Sequence, residues 1–452
     1  MKRLQLLFGV LCCVLCVANA SAQPHHHHKH HKADYPIILL LGVEHGDTLV
    51  EATEIYEMSY RNTASKRVEE GFNATLRRGF RQAPNPQFIF STHDGNFALG
   101  IGGFINLRAS YDFKGTMNNM DFVPYDIPMT SSWASRQRVM MDATTSRFFT
   151  KAVVNSSLLG PVVAYMDMDF RGGASQSYQP RLRSAYVSLK GFTLGRDVTT
   201  FCDLMSCPTT VDFEGPNAYT FEFSTLLRYE GEFMDKHFRY GVAAEIPVVS
   251  GTYGEHFAPI AQRVPDFPMY LQYAWGKGRE SHFRLSAVLR TLYMHDNAKD
   301  KNISLLGWGI QASGRIKCCS FFNLYYNGVY GKGITRYIQD LTGSGLDFTP
   351  NPTDAYSLQS TPMWGVQASG EMNIIPNVLS ATGGYSVVKI QHRNGYYAQE
   401  QYKRGTYIFG NVFYNLTRNM RLAVEYLHGS RKDVSGQKAT ANRVSIMAQY
   451  NF

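Results

Sequence analysis

Apolar and polar residues alternate along the last segment of the chain, and this pattern predicts that the chain ends on a β-strand. Val444, Ile446, Ala448, Tyr450 and Phe452 fall on one face, while the residues between them are mostly polar. A strand points alternate side chains to opposite faces, and a tilted strand of about ten residues crosses a hydrocarbon core. Apolar-out, polar-in strands are typical of outer-membrane β-barrels. A soluble sandwich is the alternative that one strand alone leaves open.

The same period of two recurs from Phe97 to the end of the chain and predicts an all-β, transmembrane antiparallel β-barrel. The pattern contains about sixteen strands, at 97–113, 135–154, 160–170, 181–190, 192–197, 218–230, 237–247, 267–275, 282–295, 303–316, 320–331, 361–373, 378–390, 402–414, 420–430 and 440–452. The connectors alternate between long and short, as external loops and periplasmic turns do in membrane barrels. Since a strand edge that faces lipid cannot stay unpaired, the last strand must pair with the first. A closed barrel of this size leaves an aqueous lumen.

The first residues, 1–22, have the pattern of a signal peptide that is removed on export. Lys2 and Arg3 precede a short apolar core, and small residues at 20–22 provide a cleavage site. The following residues, 23–45, form a flexible segment rich in histidine, which could bind a metal ion weakly. The candidate ligands are His25, His26, His27, His28, His30 and His31. A solvated tail that binds no metal is the alternative.

Between this segment and the barrel, the period changes from two to that of a helix. Apolar residues recur at every third or fourth position from 46 to 80, and Pro84 and Pro86 follow. Proline is not tolerated inside a helix, so the helical pattern ends there. The sequence therefore predicts a short helical periplasmic extension over 46–90, followed by a transmembrane barrel over 96–452.

Composition agrees with an exported barrel. Aromatic residues make up 13% of the chain, which suits the aromatic girdles of a membrane barrel. The formal net charge is +9, but these charges are spread along strands, so we expect an anion-binding surface and no nucleic-acid partner. The export route is oxidising, which makes Cys202 and Cys207 a candidate disulfide. The adjacent Cys318 and Cys319 seldom bridge each other without strain.

Strand parity sends most arginines of the barrel towards the lumen. A charge on the lipid face at mid-bilayer costs roughly 2–4 kcal/mol, so the inward position is favoured. The predicted pore-lining residues are Arg108, Arg136, Arg138, Arg183, Arg196, Arg228, Arg239, Arg284, Arg290 and Arg443. Carboxylates balance them only in part, so the wall favours anions, and a guanidinium pairs with a carboxylate or phosphate through two hydrogen bonds. The alternative is that each arginine pairs with an inward Asp or Glu and stiffens the barrel.

The third long connector, 197–217, is the most distinctive part of the barrel sequence. Large porins commonly fold this connector into the lumen, and Pro208 and Pro216 limit its flexibility. In that position it would act as a constriction, with carboxylates opposite the wall arginines. Its candidate charged residues are Asp203, Asp212 and Glu214. An ordinary surface loop that keeps these charges in water is the alternative.

Four runs in the chain are distinctive, namely R-S-A-Y at 183–186, G-R-D-V-T-T-F-C-D-L at 195–204, V-D-F-E-G-P-N at 211–217 and D-G-N-F-A-L-G-I-G-G-F-I-N at 94–106. These runs resemble the DcaP-like trimeric outer-membrane porin family. The resemblance implies a homotrimer of barrels of about sixteen strands, a helical periplasmic extension and passive uptake of small anions such as dicarboxylates. The chain departs from the pattern in its histidine tract and at Arg196, where a neutral residue is expected.

The sequence as a whole predicts a porin for small hydrophilic anions in the outer membrane of a Gram-negative bacterium. No Ser-His-Asp arrangement with a recognisable motif is present, so we do not expect an enzyme or a cofactor. The expected partners are small anionic solutes, outer-membrane lipid and, during biogenesis, the barrel-assembly machinery. Three alternatives stay open, namely an adhesive or structural barrel whose loop 332–360 binds a partner, a lipid-modifying enzyme, and a metal-permeable pore to which the histidine tract delivers the metal.

Overall fold

The computed structural model of the protein describes residues 37–41 and 63–452, with gaps at 93–94, 131, 134–135, 175–176, 352–353 and 392–397. The predicted signal peptide and the six candidate histidine ligands lie outside the described residues. Where the structure is described, no helix is long and apolar enough to cross a membrane.

Strands dominate the described part of the chain. One α-helix, α1, spans Thr63–Ala74, and short 3-10 helices lie at Pro124–Asp126, Lys277–Arg279, Thr335–Tyr337 and Gln339–Leu341. The strands are β1 (Ile37–Leu41), β2 (Phe88–Thr92), β3 (Phe97–Lys114), β4 (Arg138–Asp142), β5 (Arg147–Ser156), β6 (Gly160–Gly172), β7 (Gln179–Leu189), β8 (Phe192–Val198), β9 (Phe223–Phe233), β10 (Phe238–Glu245), β11 (Phe257–Pro259), β12 (Phe267–Trp275), β13 (Ser281–Asp296), β14 (Lys301–Lys317), β15 (Phe322–Lys332), β16 (Phe348–Asn351), β17 (Asp354–Ser360), β18 (Pro362–Ile375), β19 (Leu379–Ile390), β20 (Tyr402–Asn415), β21 (Met420–Asp433) and β22 (Lys438–Asn451).

The wall is a closed antiparallel barrel of 16 strands, which confirms the predicted fold. Strands β4 and β5 are two halves of one wall strand opposite β3, and β11 and β12 are two halves of another opposite β13. The last strand, β22, pairs with β3 and closes the wall. Beyond the end of β22, β3 pairs with β2, which also pairs in parallel with β1. Strands β16 and β17 form a separate hairpin.

Exposure alternates along the wall strands as the period of two predicts. On β3, Ile105 is 60% exposed and Leu107 is 44% exposed, whereas the intervening Asn106 and Arg108 are buried. Strand β22 shows the same pattern, since its Ile446 and Tyr450 are half exposed and its Arg443 and Met447 are buried. The apolar face is therefore the lipid-facing one, and the polar side chains lie inside the barrel.

The structure corrects the predicted boundaries in three places. The predicted strand at 218–230 begins only at Phe223, because residues 218–222 remain inside the barrel with the preceding loop. The strand predicted at 135–154 is divided by a turn at 143–146, in which the backbone N–H of Ser146 donates to Ala143. Of the helical pattern over 46–80, the described residues contain one helix that ends at Ala74.

Two long connectors pack their apolar residues inside the barrel. In the first, 115–137, Phe122 and Ile127 contact the inward faces of β20 and β21. In the other, 333–361, a larger group of side chains contacts the wall strands from β13 to β20. Its buried members include Ile334, Tyr337, Ile338, Leu341 and Leu346. The interior therefore contains hydrophobic cores as well as polar groups.

We predict that the buried pair Arg443–Asp112 stabilises the barrel at the seam between β22 and β3. Arg443 donates to both carboxylate oxygens of Asp112, at 2.5 and 3.0 Å, and both side chains are almost fully buried. Arg443→Met leaves a buried, unpaired carboxylate, which should cost about 3–5 kcal/mol of folding free energy. The measurement is the temperature at which the folded barrel unfolds in a detergent gel.

The double variant D112N/R443M is the matched control, because it removes both charges together. It should recover a large part of the lost stability. A single variant R443M that unfolds at the wild-type temperature would contradict this role for the pair.

Candidate pore site

The loop between β8 and β9, residues 199–222, crosses the barrel interior; we call it the inner loop. Its contacts follow the inward faces of a series of wall strands. Gln311 on β14 accepts from Thr220, Ser386 on β19 accepts from the Ala218 N–H, and Asn411 on β20 donates to the Thr209 carbonyl. Nearly every residue of the loop is buried or half-buried. The inner loop is therefore attached to the wall opposite the strands from which it starts.

Carboxylates make the strongest of these attachments. Glu425 on β21 accepts the backbone N–H groups of Val211 and Asp212, at 3.0 and 2.7 Å. Asp203 of the loop accepts from His282 Nε2 and Ser313 Oγ, each at 2.8 Å. Burial alone would raise the pKa of Asp203, but the interaction with His282 outweighs it and lowers the pKa to about 2.

Asp212 joins the inner loop to two other parts of the interior. Its carboxylate accepts from the Phe122 N–H of the first connector and from the Tyr407 hydroxyl of β20, both at 3.0 Å. Burial and the nearby Asp121 carboxylate raise the pKa of Asp212 above its usual range. Burial, together with Asp121 and Asp212, also raises the pKa of Glu214 well above its usual range. Burial thus favours the neutral form of both loop carboxyls.

Six arginines surround Phe213 of the inner loop and its neighbourhood; we call them the arginine cluster. Its members are Arg81, Arg108, Arg147, Arg171, Arg181 and Arg183. Four guanidinium carbons, those of Arg81, Arg108, Arg171 and Arg183, lie 4.3–5.8 Å from the centre of the Phe213 ring. A cation over an aromatic face is attracted to the ring, so Phe213 helps to hold these like charges together.

The cluster contains inward carboxylates as well, but it is not closed. Arg181 binds both oxygens of Asp169, at 2.9 and 2.6 Å, and 37% of its side chain remains exposed. The side chain of Arg171 is 18% exposed, and its Nη1 has no hydrogen-bond partner among the described residues. In contrast, Arg108 and Arg183 are almost fully buried. Arg181, whose side chain is 37% exposed, therefore presents donors to the lumen, whereas the unpartnered Nη1 of Arg171 is itself buried.

The chain between α1 and β2, residues 75–87, also lies inside the barrel; we call it the lumenal segment. The Phe80 N–H donates to the Leu204 carbonyl of the inner loop at 2.7 Å, and the Phe80 ring lies 5.1 Å from that of Tyr219. Arg81 donates to the Asp212 carbonyl, and burial and Arg108 lower the pKa of Arg81 to about 10. The lumenal segment therefore supports the inner loop from one side.

Four of the eight predicted pore arginines outside the cluster face inward but are bound. Arg228 pairs with Asp197 at 2.6 Å, and Arg284 donates to the Thr200 carbonyl at 2.6 Å. Arg290 pairs with Asp266 and Asp347 at 3.0 and 3.3 Å. The further bonds of Arg290 and Arg443 run to the backbone carbonyls of Gly333, Val248, Met120 and Asn119. These arginines attach loops to the wall rather than line a water-filled path.

The remaining predicted residues lie away from the arginine cluster or make different contacts. Arg138 donates to Asn118 at 2.9 Å, Arg239 is half exposed beside Glu232, and Arg136 is exposed before β4. The predicted pore-lining position of Arg196 is corrected by the structure. Arg196 lies on the outer face of β8 with Phe192 and Leu194, whereas the next residue, Asp197, is buried on the inner face.

Sequence reasoning missed Phe213 and four cluster arginines, Arg81, Arg147, Arg171 and Arg181. Strand parity contained a signal for three of them. Arg147 has the parity of the buried Lys151 on β5. Arg171 has the parity of the inward Asp169, and Arg181 has the parity of the inward Arg183. In contrast, Phe213 and Arg81 lie on irregular segments, where no periodic pattern indicates the direction of a side chain.

Cys202 and Cys207 are both free and buried in the structure, so the predicted disulfide is not formed in it. The Cys202 sulfur lies 3.4 Å from the Tyr219 hydroxyl, and burial raises the pKa of Cys202 to about 12. A thiol with a raised pKa is a poor nucleophile for disulfide exchange. Among the described residues, no group of His, Cys, Asp and Glu side chains has the arrangement of a metal site.

Several solved structures share this fold. The outer membrane channel DcaP of Acinetobacter baumannii has a TM-score of 0.68 and 19% identity, covering 79% of this chain and 98% of that one. The porin OmpF of Salmonella typhi, in complex with daunomycin, has a TM-score of 0.51 and 12% identity, covering 79% and 98%. An anion-selective porin from Comamonas acidovorans has a TM-score of 0.50 and 11% identity, covering 79% and 100%. No curated protein sequence matches the chain.

A closed barrel with an apolar outer face and a polar, loop-crossed interior defines an outer-membrane protein with the fold of a porin. A family model described as the DcaP outer membrane protein matches residues 67–452. The chain therefore belongs to the DcaP outer membrane protein family, which confirms the resemblance found in the sequence.

We predict that Phe80 fixes the lumenal segment against the inner loop. Phe80→Ala removes the ring contacts with Tyr219 and Phe221, and loss of a buried aromatic ring costs about 3–5 kcal/mol. The segment is also attached through the ion pair of Arg77 with Asp197 and through the hydrogen bonds of Arg81, so we expect F80A to loosen it around Phe80 while the barrel remains folded. Limited digestion with proteinase K should then cut within 75–87 faster than in the wild type.

Arg78→Gln is the matched control, since Arg78 lies in the same segment and is exposed. Its digestion should follow the wild type. Equal digestion of the wild type and F80A would show that the segment is held by other contacts.

Proposed function

We propose that the protein is a passive porin that favours small anionic solutes of the carboxylate type. The single observation that carries this proposal is the arginine cluster, in which the side chains of Arg181 and Arg171 remain 37% and 18% exposed beside the inner loop. A guanidinium that faces a water-filled channel with low-dielectric walls attracts anions and matches the geometry of a carboxylate. The family and the fold are those of an outer-membrane channel, which supports a role in the passage of solutes.

In this proposal the inner loop is the constriction of the pore. Phe213 of the loop faces the arginines of strands β6 and β7. The attachments of the loop to Glu425, His282 and Ser313 oppose its displacement. Its own carboxyl groups contribute little negative charge near the cluster, because burial favours the neutral form of Glu214. The positive wall would therefore dominate the local potential.

We also propose that the protein assembles as a homotrimer, as the family resemblance implies. The outer face of the barrel is apolar along whole strands and could contact either lipid or a second copy. Native mass spectrometry of the detergent-solubilised protein would measure the number of copies directly. A single copy under conditions that preserve porin trimers would contradict the proposal.

The first test is a planar bilayer experiment with the purified protein in a salt gradient. We expect stepwise conductance with a reversal potential that indicates preference for the anion. Cation preference would contradict the role of the arginine cluster. Failure to conduct under any condition would contradict the porin proposal and favour the adhesive or lipid-modifying alternatives.

We predict that Arg181→Gln lowers the anion-to-cation permeability ratio. Two charges about 4 Å apart in water interact by about 1 kcal/mol, so one lost charge changes the ratio by up to about fivefold. Arg136→Gln is the matched control, because Arg136 is exposed and lies outside the cluster. An equal change in both variants would show that total charge, rather than the cluster, sets the preference.

We predict that Glu214→Gln changes the reversal potential less at low pH than at high pH. Burial and the nearby Asp121 and Asp212 carboxyls raise the pKa of Glu214 well above its usual range, so the wild-type side chain stays neutral to a higher pH than an ordinary glutamate. As pH rises through the raised pKa, the wild type gains a negative charge and should lose anion preference, whereas E214Q should not. Recording reversal potentials from pH 5 to 9 compares them. An equal difference between the two proteins over that whole range would contradict the prediction.

A further inference from the structure

Four basic residues lie side by side on neighbouring wall strands; we call them the basic row. Lys389 on β19 faces Arg404 on β20, Arg404 faces Lys432 on β21, and Lys432 faces Lys438 on β22. Residues that face each other across paired strands share one face of the sheet. Strands lie about 4.8 Å apart, so the basic row spans roughly 14 Å.

The basic row lies on the outer face of the barrel. Arg404 is exposed and donates to the Tyr385 hydroxyl at 3.3 Å, and the ring of Tyr385 is itself on the lipid-facing side, with 42% of the residue exposed. Lys432 and Lys438 are also exposed. The neighbours of opposite parity, such as Tyr407, are buried in the interior. The four cations therefore cannot serve the pore.

The level of the basic row along the strands matches the edge of a membrane. On the same face, the next pairs include Thr406, Ser430 and Thr440, beyond them come Tyr385, Ile408, His428 and Asn442, and then Tyr426. Apolar residues such as Val412, Val424 and Ile446 follow. Cations, hydroxyls, aromatic rings and aliphatic side chains thus succeed one another, which is the order from a headgroup layer into hydrocarbon.

The basic row lies at the strand ends joined by the long connector 391–401, and long connectors of membrane barrels face the outside. The adjacent lipid layer is thus the outer leaflet of the outer membrane. Four like charges at facing positions repel one another. No carboxylate within the described residues forms an ion pair with any of the four. The arrangement is therefore complementary to an anionic ligand with more than one negative group.

We propose that Lys389, Arg404, Lys432 and Lys438 bind the phosphate groups of the phosphorylated glycolipid of the outer leaflet, lipopolysaccharide. Lysine and arginine next to a membrane surface attract anionic headgroups, and Arg404 adds a planar donor pair that suits phosphate. The hydroxyl groups of Thr406, Ser430 and Thr440 lie directly beneath the cations and can bind the polar sugar region. This inference depends on the membrane location and is independent of pore selectivity.

The test is binding of fluorescent bisphosphorylated lipid A to the full-length protein in detergent micelles. The quadruple variant K389Q/R404Q/K432Q/K438Q should bind at least tenfold more weakly. A second quadruple variant, K190Q/K236Q/K277Q/R279Q, removes the same charge from exposed residues at the short-turn end of the barrel. It should bind as the wild type does. Unfolding temperature and conductance should match the wild type in both, which separates this result from any failure of the porin proposal.

Further measurements define the ligand. Lipid A without phosphate should bind the wild type no better than it binds the basic-row variant, and millimolar inorganic phosphate should not displace bisphosphorylated lipid A. Complete displacement by inorganic phosphate would identify a free-phosphate site and overturn the proposal. Equal weakening in both quadruple variants would also overturn it, because attraction to net charge would then explain the binding. If the basic-row variant does not fold, the pair variant K432Q/K438Q provides the same comparison.

Discussion

Lipid on one side of the wall forces the charged groups of the membrane-crossing strands to the other side, and the rest of the structure depends on this constraint. Inside the barrel those charges are largely shielded from water, and a buried charge is costly unless it is paired and hydrogen-bonded. The loops provide many of the required partners. Arg443 binds carbonyls of the first long connector, and Arg290 binds the Gly333 carbonyl of another. The long connectors are thus held inside by the same charges that lipid excludes.

The strands could be predicted because the period of two depends only on residues close together in sequence. In strand β22, alternation predicted which residues face lipid, and the need to pair its edge predicted that it closes the barrel against β3. The same rule predicted that most arginines of the barrel face inward. Applied to β8, it would also have placed Arg196 outside with Leu194, because residues two apart share a face. That correction was available from the sequence.

The functional roles of the inward arginines could not be predicted in the same way. Whether an arginine faces water or a carboxylate depends on which loop folds against it, and that contact joins residues far apart in the chain. Strand parity places both Arg228 and Arg181 on the inner face. Arg228 is bound by Asp197 and the Val198 carbonyl, whereas the side chain of Arg181 remains open to the lumen. Phe213 and Phe80 gain their positions from tertiary contacts alone.

The inner loop also has a mechanical consequence. A thin cylindrical wall readily becomes elliptical when its surroundings press unevenly upon it, as a bilayer does. The inner loop starts at β8 and crosses the interior. On the far side it is hydrogen-bonded to β13, β14, β19, β20 and β21, so it connects two sides of the wall. Flattening of the cylinder would have to break these buried hydrogen bonds. These bonds therefore oppose a change in the dimensions of the interior under lateral pressure.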